Sequence, residues 1–457
     1  MSQPRIITVP NKLLREPTEK VGSFDEGIIN QGKEMAEFLR QNSDNGIGLS
    51  ANQLGYNNQI FVTFFDDPEK KNVIPLTFFI NPQIVKKEGE VETLEEGCLS
   101  VPNMFLPVER AIKVKVRAKG LDGKNFKLTA KGLFARLIQH ETDHLNGILF
   151  TDRVREKLFG KFPELKNLKI IFIGTGDFAD LILEGLILLG FNIQLVITEK
   201  PKPSGREKII ADNPVGETAK LFGKKIIETD DISSLGSKIS NLKSDLIILS
   251  DFGQILPGSI LKMPKIAAIN IHPSLLPKYR GPSPIQTAIL NGEKETGVSI
   301  IKMVPKIDKG PILAQEAIEI WENDNANSLK KRLSNLSLQM LTNLLPKLQQ
   351  GKATETNQDK SQVTFTRKLT KTDSEINWQK SSTEIDHQIR AFYPWPGSYT
   401  TINGKRLIIH QAHLDNGKLV LDIVQPEGKK PMKWSDFLRG FHGEKPGWFK
   451  WIDSRED

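Results

Sequence analysis

Apolar runs separated by turn-forming residues mark the middle of this chain. Residues 168–173, which are apolar except for Lys169, predict a buried parallel strand. A glycine-containing turn closes it, and an apolar helix follows as far as Leu189. Further strand-like runs cover residues 193–198 and 245–250. Strand, helix and strand in this order predict a doubly wound α/β domain with a parallel, Rossmann-like sheet.

Two polar residues interrupt a later apolar run. Asn270 and His272 are two positions apart, so a strand would direct both side chains to one face near its end. Prolines follow and favour an extended loop, and Asp308 comes further along the chain. An amide could stabilise an oxyanion while an imidazole and a carboxylate move protons, as the transfer of a carbonyl group to an amine requires.

A different chemistry is indicated in the first third of the chain. Cys98, the only cysteine, lies in the run EGCLS, and His140 and His144 are four residues apart in QHETDH. On a helix both imidazoles leave the same face, so these three residues predict a site for one metal ion with an open coordination position. Glu141, next to the first histidine, is placed to act as a base on a metal-bound water.

Composition narrows the class of protein. The chain has 457 residues, 38% of them hydrophobic and 26% charged, as expected for two or three globular domains. A single cysteine excludes an internal disulfide, and no apolar stretch approaches 18 residues, so we expect a cytoplasmic protein without a membrane partner. The net charge is +8, but residues 1–166 are almost neutral, which places most of the excess downstream.

The charged segment between Arg153 and Leu168, which Pro163 interrupts, is the predicted junction between modules. Five of the six tryptophans follow residue 370, which indicates a further module there. We expect domains over residues 1–160, 168–355 and 362–457.

The first domain resembles the peptide deformylase family in three motifs, GIGLSANQ (residues 46–53), EGCLS and HETDH. The resemblance implies an α+β metallohydrolase with Fe²⁺ as its ion and Zn²⁺ or Ni²⁺ as substitutes. It also implies that Gln53 and the Leu99 backbone N–H stabilise the oxyanion. Ser50 replaces the usual alanine, and no arginine follows Pro102 within five residues, where many members hold the substrate backbone.

The rest of the chain resembles the formyltransferases that use 10-formyltetrahydrofolate, and specifically the methionyl-tRNA formyltransferases. The similar segments are residues 171–178, 199–208, 269–297, 389–396 and 425–432. The resemblance implies a small OB-like β-barrel at the C-terminus. It places the folate against Ser274, Leu275, Leu276 and Pro277, and the tRNA acceptor end near Lys200, Lys202, Arg206 and Lys208. Gly176 replaces a usual proline, and the region between Ile409 and Leu419 is shorter than in the family.

These resemblances imply a bifunctional enzyme of translation initiation, with initiator methionyl-tRNA and nascent formylated peptides at the ribosome as partners. Two alternatives remain: the second module could formylate an amino sugar, or one module could be a catalytically silent binding domain. Gly174, Gly176 and Ala179 also satisfy a GxGxxA pattern, which by itself is a weak indication of nicotinamide binding.

Overall fold

The computed structural model describes residues 5–42, 46–66, 73–204, 209–443 and 446–452. The chain divides into two compact units, one of Met1–Lys166 with Gly185–Phe191 and the other of Asn167–Glu184 with Asn192–Asp457. No helix among the described residues has the length and apolar character needed to cross a membrane.

The first unit combines helices with an antiparallel sheet of strand order β1-β2-β3-β4-β5. Its helices and strands are α1 (Glu26–Gln41), β1 (Gly48–Ser50), β2 (Ile60–Phe65), β3 (Ile74–Cys98), β4 (Val101–Lys119), β5 (Asn125–Lys131), α2 (Gly132–Leu145) and α3 (Phe150–Lys161). The inner side of α2 packs on the sheet in an apolar core that includes Phe61, Phe79 and Ile138. This packing sets α2 beside the end of β3.

The second unit begins with a seven-stranded mixed sheet and its helices. These elements are β6 (Lys169–Gly174), α4 (Asp177–Leu188), β7 (Asn192–Thr198), β8 (Lys202–Ser204), β9 (Ile209–Ala211), α5 (Pro214–Leu221), β10 (Ile226–Glu228), α6 (Gly236–Asn241), β11 (Leu246–Ser250), α7 (Gly258–Leu261), β12 (Ala267–His272), α8 (Pro284–Leu290), β13 (Glu295–Lys302), β14 (Ile312–Glu319) and α9 (Ala326–Gln349). Strands β8 and β9 form a separate hairpin.

The large sheet has the order β10-β7-β6-β11-β12-β13-β14, in which the first five strands are parallel and β13 and β14 are antiparallel to their neighbours. The predicted doubly wound α/β domain is therefore confirmed. The chain runs outward from β6 to β10 and then returns to β11 on the other side of β6. Such a reversal opens a crevice at the carboxyl ends of β6 and β11, where ligands bind in this class of sheet.

The C-terminal part carries α10 (Ser382–Ala391), β15 (Tyr399–Ile402), β16 (Lys405–Asp415), β17 (Lys418–Pro426), β18 (Met432–Lys433) and α11 (Trp434–Arg439). Its strands form an antiparallel sheet in sequence order. Trp434 and Trp448 belong to its buried core, and Trp378 stacks on Trp448 with ring centroids 4.5 Å apart. Three of the late tryptophans therefore contribute to a core within the C-terminal part.

Candidate active sites

The three predicted metal ligands of the first unit lie together. Cys98 ends β3, while His140 and His144 stand one turn apart on α2. Their ligand atoms are all within 4.8 Å of one another, and the Cys98 sulfur is 3.2 Å from Nε2 of His144. A thiolate and two imidazoles form a donor set that suits Fe²⁺ or Zn²⁺. These residues therefore fit one divalent metal ion.

The surroundings of Cys98 favour the thiolate that a metal requires. Burial alone would raise the pKa of the thiol, but the adjacent His144 and His140 hold it well below its ordinary value. The backbone N–H of Ser100 also lies 3.4 Å from the sulfur.

Gln53 and Leu99 both lie beside this cluster. Nε2 of Gln53 is 3.6 Å from the Cys98 sulfur, and its Oε1 accepts from the Ser50 backbone N–H at 2.9 Å. The Leu99 side chain lies against Gly46, where an added methyl group would come within 3.0 Å of it. The oxyanion roles of these two residues stay predictions.

Glu141 is buried on α2 between the two histidines. Its Oε2 accepts a hydrogen bond from the Ser50 hydroxyl at 2.6 Å. Burial raises the pKa of Glu141, and the neighbouring His140 and His144 and the Ser50 hydroxyl offset only part of that rise. A carboxylate with a raised pKa is a better proton acceptor, as a general base requires.

A buried ion network behind the histidines was missed by the sequence reasoning. Glu96 accepts from Arg110 at 2.9 Å and from Arg136 at 2.7 Å, and it lies 3.1 Å from Nδ1 of His140. Although burial opposes it, these partners hold the pKa of Glu96 well below its usual range. A carboxylate behind a ligating histidine orients the ring. Glu96 is the first residue of the EGCLS motif, but its two arginines lie 14 and 40 residues away in the sequence, without a local signal.

The second group of predicted residues also comes together. Asn270 and His272 end β12 and are buried, and Asp308 lies in the loop between β13 and β14. Nδ2 of Asn270 donates to Oδ1 of Asp308 at 3.1 Å, and Nδ1 of His272 is 3.8 Å from Oδ2 of Asp308. Asn270 and His272 therefore lie on the same face of β12, and both side chains are beside the Asp308 carboxylate.

Hydrogen bonding assigns the proton on His272. Nε2 of His272 lies 2.9 Å from the carbonyl oxygen of Tyr279, which can only accept. We therefore assign the proton of the neutral ring to Nε2, which leaves Nδ1 as the proton-accepting atom on the Asp308 side.

A cavity of about 810 Å³ opens on this group. Residues 251–256 and 303–308 form much of its wall, and Tyr393 and Trp395 from the segment after α10 also line it. It lies where the strand order reverses, at the carboxyl ends of β6, β11 and β12. The size is ample for a drug-sized ligand.

The predicted folate-contacting segment is not part of the cavity wall. Ser274 and Leu276 are buried, and their polar atoms are used internally. The Ser274 hydroxyl donates to the Lys278 carbonyl at 2.8 Å, and the Leu276 N–H donates to Ser299 at 3.0 Å. Leu275 and Pro277 are likewise absent from the lining residues. Folate contact by this segment stays a prediction.

Two of the four predicted tRNA-contacting residues can be located. Lys200 and Lys202 flank the start of the β8–β9 hairpin, and their ammonium groups pair with Asp230 at 2.8 Å and with Glu199 at 2.5 Å. Arg206 and Lys208 lie outside the described residues. The structure therefore places Lys202 in β8 and Lys200 just before it, and both side chains are exposed.

Comparisons with known proteins assign both parts of the chain to families. Residues 4–158 match the family model for polypeptide deformylase, residues 168–345 match formyl transferase, and residues 368–419 match the formyl transferase C-terminal domain. The methionyl-tRNA formyltransferase of Enterococcus faecalis is 43% identical over 299 residues, which cover 60% of this chain and 96% of that protein. This chain belongs to the methionyl-tRNA formyltransferase family. It is a formyltransferase fused to a deformylase domain.

Further relatives match each part of this fusion. The methionyl-tRNA formyltransferase of Staphylococcus aureus strain MW2 is 36% identical over the same lengths. For the deformylase part, the peptide deformylase of Synechococcus elongatus, solved with actinonin, is 38% identical, and the match covers 34% of this chain and 79% of that one, with a TM-score of 0.30. The Thermotoga maritima peptide deformylase is 33% identical. That match covers 34% of this chain and 98% of the other, and its TM-score is also 0.30. Recognition of the two families from the sequence is confirmed.

Proposed function

We propose that this chain carries two activities of translation initiation. The C-terminal modules transfer formyl from 10-formyltetrahydrofolate to the amine of methionyl-initiator-tRNA, and the N-terminal domain removes formyl from N-formylmethionyl peptides. The observation that carries this proposal is that the proposed catalytic residues of each part lie within the matched range of its own family and come together in the structure. The alternative of an amino-sugar formyltransferase is not favoured, since the curated relatives are methionyl-tRNA formyltransferases.

In the deformylase domain, Cys98, His140 and His144 would hold one divalent ion, for which we propose Fe²⁺ with Zn²⁺ or Ni²⁺ as substitutes. When bound, the ion would supply Lewis-acid activation of water at neutral pH. Glu141 accepts the proton of the attacking water, and its Ser50 contact orients the carboxylate. Gln53 and the Leu99 N–H donate to the oxyanion. Glu96 orients the His140 ring through its contact with Nδ1 of that ring.

In the formyltransferase, the neutral methionyl nitrogen attacks the formyl carbon and a new N–C bond forms. Asn270 uses one N–H on Asp308, so its second N–H is available for the oxyanion. Asp308 takes the proton of the amine. His272 accepts and returns protons through Nδ1, and once Nδ1 is protonated the ring pairs with Asp308, which orients it to support the oxyanion. The bond from the formyl carbon to folate then breaks, and the folate nitrogen receives a proton.

The partners follow from these reactions. Initiator methionyl-tRNA would meet the β8–β9 hairpin through its acceptor end, with Lys200, Lys202, Arg206 and Lys208 near its phosphates. Formylated nascent peptides would be the deformylase substrate, met at the ribosome. Both reactions use soluble substrates, and we propose the cytoplasm as their place.

Product analysis tests the two activities in one preparation. The purified chain is incubated with 10-formyltetrahydrofolate and charged initiator tRNA, and separately with a formyl-methionyl peptide and Fe²⁺. Formyl-methionyl-tRNA and free formate are the expected products. A chain that forms only one of them would contain one silent module, and formylation of amino sugars instead of tRNA would contradict the proposed acceptor.

Substitution of Asp308 tests the transfer mechanism. Asp308→Asn keeps the shape of the side chain but removes the base, so turnover should fall about 10²–10³-fold while folate binding survives. Single-turnover formylation and folate titration measure the two effects. Transfer near the parent rate would make Asp308 a structural residue.

A further inference from the structure

Residues 356–366, which follow α9, lie along two loops of the formyltransferase site. One is the 277–283 loop, and the other is the loop between β13 and β14 that carries Asp308. We call residues 356–366 the linker segment. Thr356 exchanges two backbone hydrogen bonds with Ile312 at the start of β14, at 2.8 and 2.9 Å. Further along, the Thr364 carbonyl accepts from the Arg280 N–H at 3.0 Å, and the Thr366 N–H donates to the Arg280 carbonyl at 2.7 Å. The segment is thus paired with both the 277–283 loop and the start of β14.

One side chain of the linker segment joins the two loops. Nε2 of Gln358 donates to the carbonyl oxygens of Asp308 at 2.8 Å and Gly310 at 2.7 Å. Its Oε1 accepts from Nη2 of Arg280 at 2.6 Å. Both amide N–H groups and the amide oxygen are therefore used on loops that neighbour the reacting groups.

The Asp308 loop needs such support. Asp308 has a φ of +49°, a backbone conformation that non-glycine residues rarely adopt and that persists only where the surroundings hold it. Gln358 binds its carbonyl, and the N–H of Gly281 donates to its Oδ2 at 2.9 Å. Since Arg280 directly precedes Gly281, the Arg280–Gln358 contact links the backbone of Asp308 to the group that holds its carboxylate.

The linker segment also reaches His272 through one intermediate. The hydroxyl oxygen of Thr364 accepts from the Tyr279 N–H at 2.8 Å, and the Tyr279 carbonyl is the partner of Nε2 of His272. The orientation of His272 therefore depends on a peptide unit that the same segment holds.

We propose that Gln358 is a positioning residue for formyl transfer, which holds the Asp308 loop so that the carboxylate faces Asn270 and His272. The linker segment would then do two things: it connects the catalytic part to the C-terminal part, and it supports the catalytic residues. This inference rests on the proposed formyltransferase function.

Gln358→Leu in the full chain tests the inference, because leucine keeps a similar size and removes all four hydrogen bonds of the amide, two to Arg280 and one each to the Asp308 and Gly310 carbonyls. A displaced carboxylate should lower kcat for formylation about 10–100-fold, while KM for folate and for tRNA changes less than about twofold. Gln362→Leu is the matched control, since Gln362 is exposed in the same segment and its amide bonds only Asp359. The control should keep the parent kcat, and both variants should keep the parent deformylase rate.

A double-substitution cycle separates positioning from general stability. If Gln358 acts through Asp308, then Gln358→Leu should cost less than about threefold when Asp308→Asn is already present. If the kcat losses of the two single variants instead multiply in the double variant, the proposal is wrong. It is also wrong if Gln358→Leu leaves kcat unchanged or changes only KM.

The milder variant Gln358→Asn, one methylene shorter, should show the same loss of kcat with a melting temperature near that of the parent. If both Gln358 variants fail to fold, Gln358 is a stability residue and the inference is wrong. Formylation by the parent chain reports on the proposed function separately, because the inference is read only from the ratio of variant to parent.

Discussion

Close packing around the Glu141 carboxylate explains two residue choices in the 46–53 segment. A methyl group added to Gly48 would come within 2.6 Å of both Oε1 of Glu141 and Cδ1 of Leu137, so a larger residue there would displace one of these two side chains. Ser50, where the deformylase family usually has alanine, donates to the same carboxylate. The departure from the family pattern therefore adds a hydrogen bond to the proposed base.

Replacement of this carboxylate should separate metal binding from catalysis. Glu141→Ala keeps Cys98, His140 and His144, so the metal content should remain near one ion per chain. The deformylase rate should fall about 10²–10⁴-fold, because the water loses its proton acceptor. Elemental analysis and formate release measure the two quantities, and formylation of tRNA by the same variant is the control. A rate within about tenfold of the parent would contradict the assignment of the base.

At the scale of elements, helix α4 carries Asp180, whose charged carboxylate is destabilised by burial. Burial raises the pKa of Asp180 to about 6 from an ordinary value near 3.8. The folded state therefore binds a proton more tightly than the unfolded chain, and this group's contribution to stability is lost as pH rises from about 4 through 6.

Asp180→Asn should consequently stabilise the formyltransferase part at pH 8, where the buried carboxyl of the parent is ionised. At pH 5 the parent group is mostly neutral in the folded state, so the substitution should matter less. The melting temperature should rise by a few degrees more at pH 8 than at pH 5, about 2–4 °C for each kcal/mol. The exposed Glu322→Gln serves as control, and an equal shift at both pH values would argue against a perturbed Asp180.

The β8–β9 hairpin is the second element with a testable role. If the basic residues of the sequence segment 199–208 contact tRNA phosphates, Arg206→Ala with Lys208→Ala should raise KM for tRNA and reduce the salt dependence of binding by about one unit of slope per charge removed. The apparent tRNA affinity is measured over a series of salt concentrations. An unchanged slope would indicate charges that are only solvated.

At the scale of the whole molecule, each proposed site is complete within one of the two compact units. The metal ligands and Glu141 lie in the first unit, and Asn270, His272 and Asp308 lie in the second. We therefore propose that the modules fold and act independently, with their boundary between Arg155 and Asn167.

A protease site introduced at Pro163–Asn167, after the end of α3, should test this boundary. Cleavage should yield two soluble fragments, one that deformylates peptides and one that formylates tRNA, each at about the parent rate. Uncleaved protein carrying the same insertion is the control. Insolubility of both fragments or loss of both activities would show that the units depend on each other.

The local parts of both sites could be predicted from the sequence because periodicity relates residues within one element. Four-residue spacing placed His140 and His144 on one face of α2, and two-residue spacing placed Asn270 and His272 together on β12. The apolar runs likewise predicted the parallel strands, since a strand buried on both faces has no polar alternation.

Only the tertiary structure decided which distant groups support these residues. Glu96 meets Arg136 across 40 positions, and Gln358 meets Asp308 across 50, with no sequence period that relates them. The 274–277 segment follows Asn270 and His272 closely in the sequence, and the family resemblance implies that it contacts folate. Only the structure shows that the Ser274 hydroxyl and the Leu276 N–H are hydrogen-bonded within the fold. Such contacts arise from how strands and loops pack, so they depend on the complete fold, whereas the spacing within a helix or strand depends only on local backbone geometry.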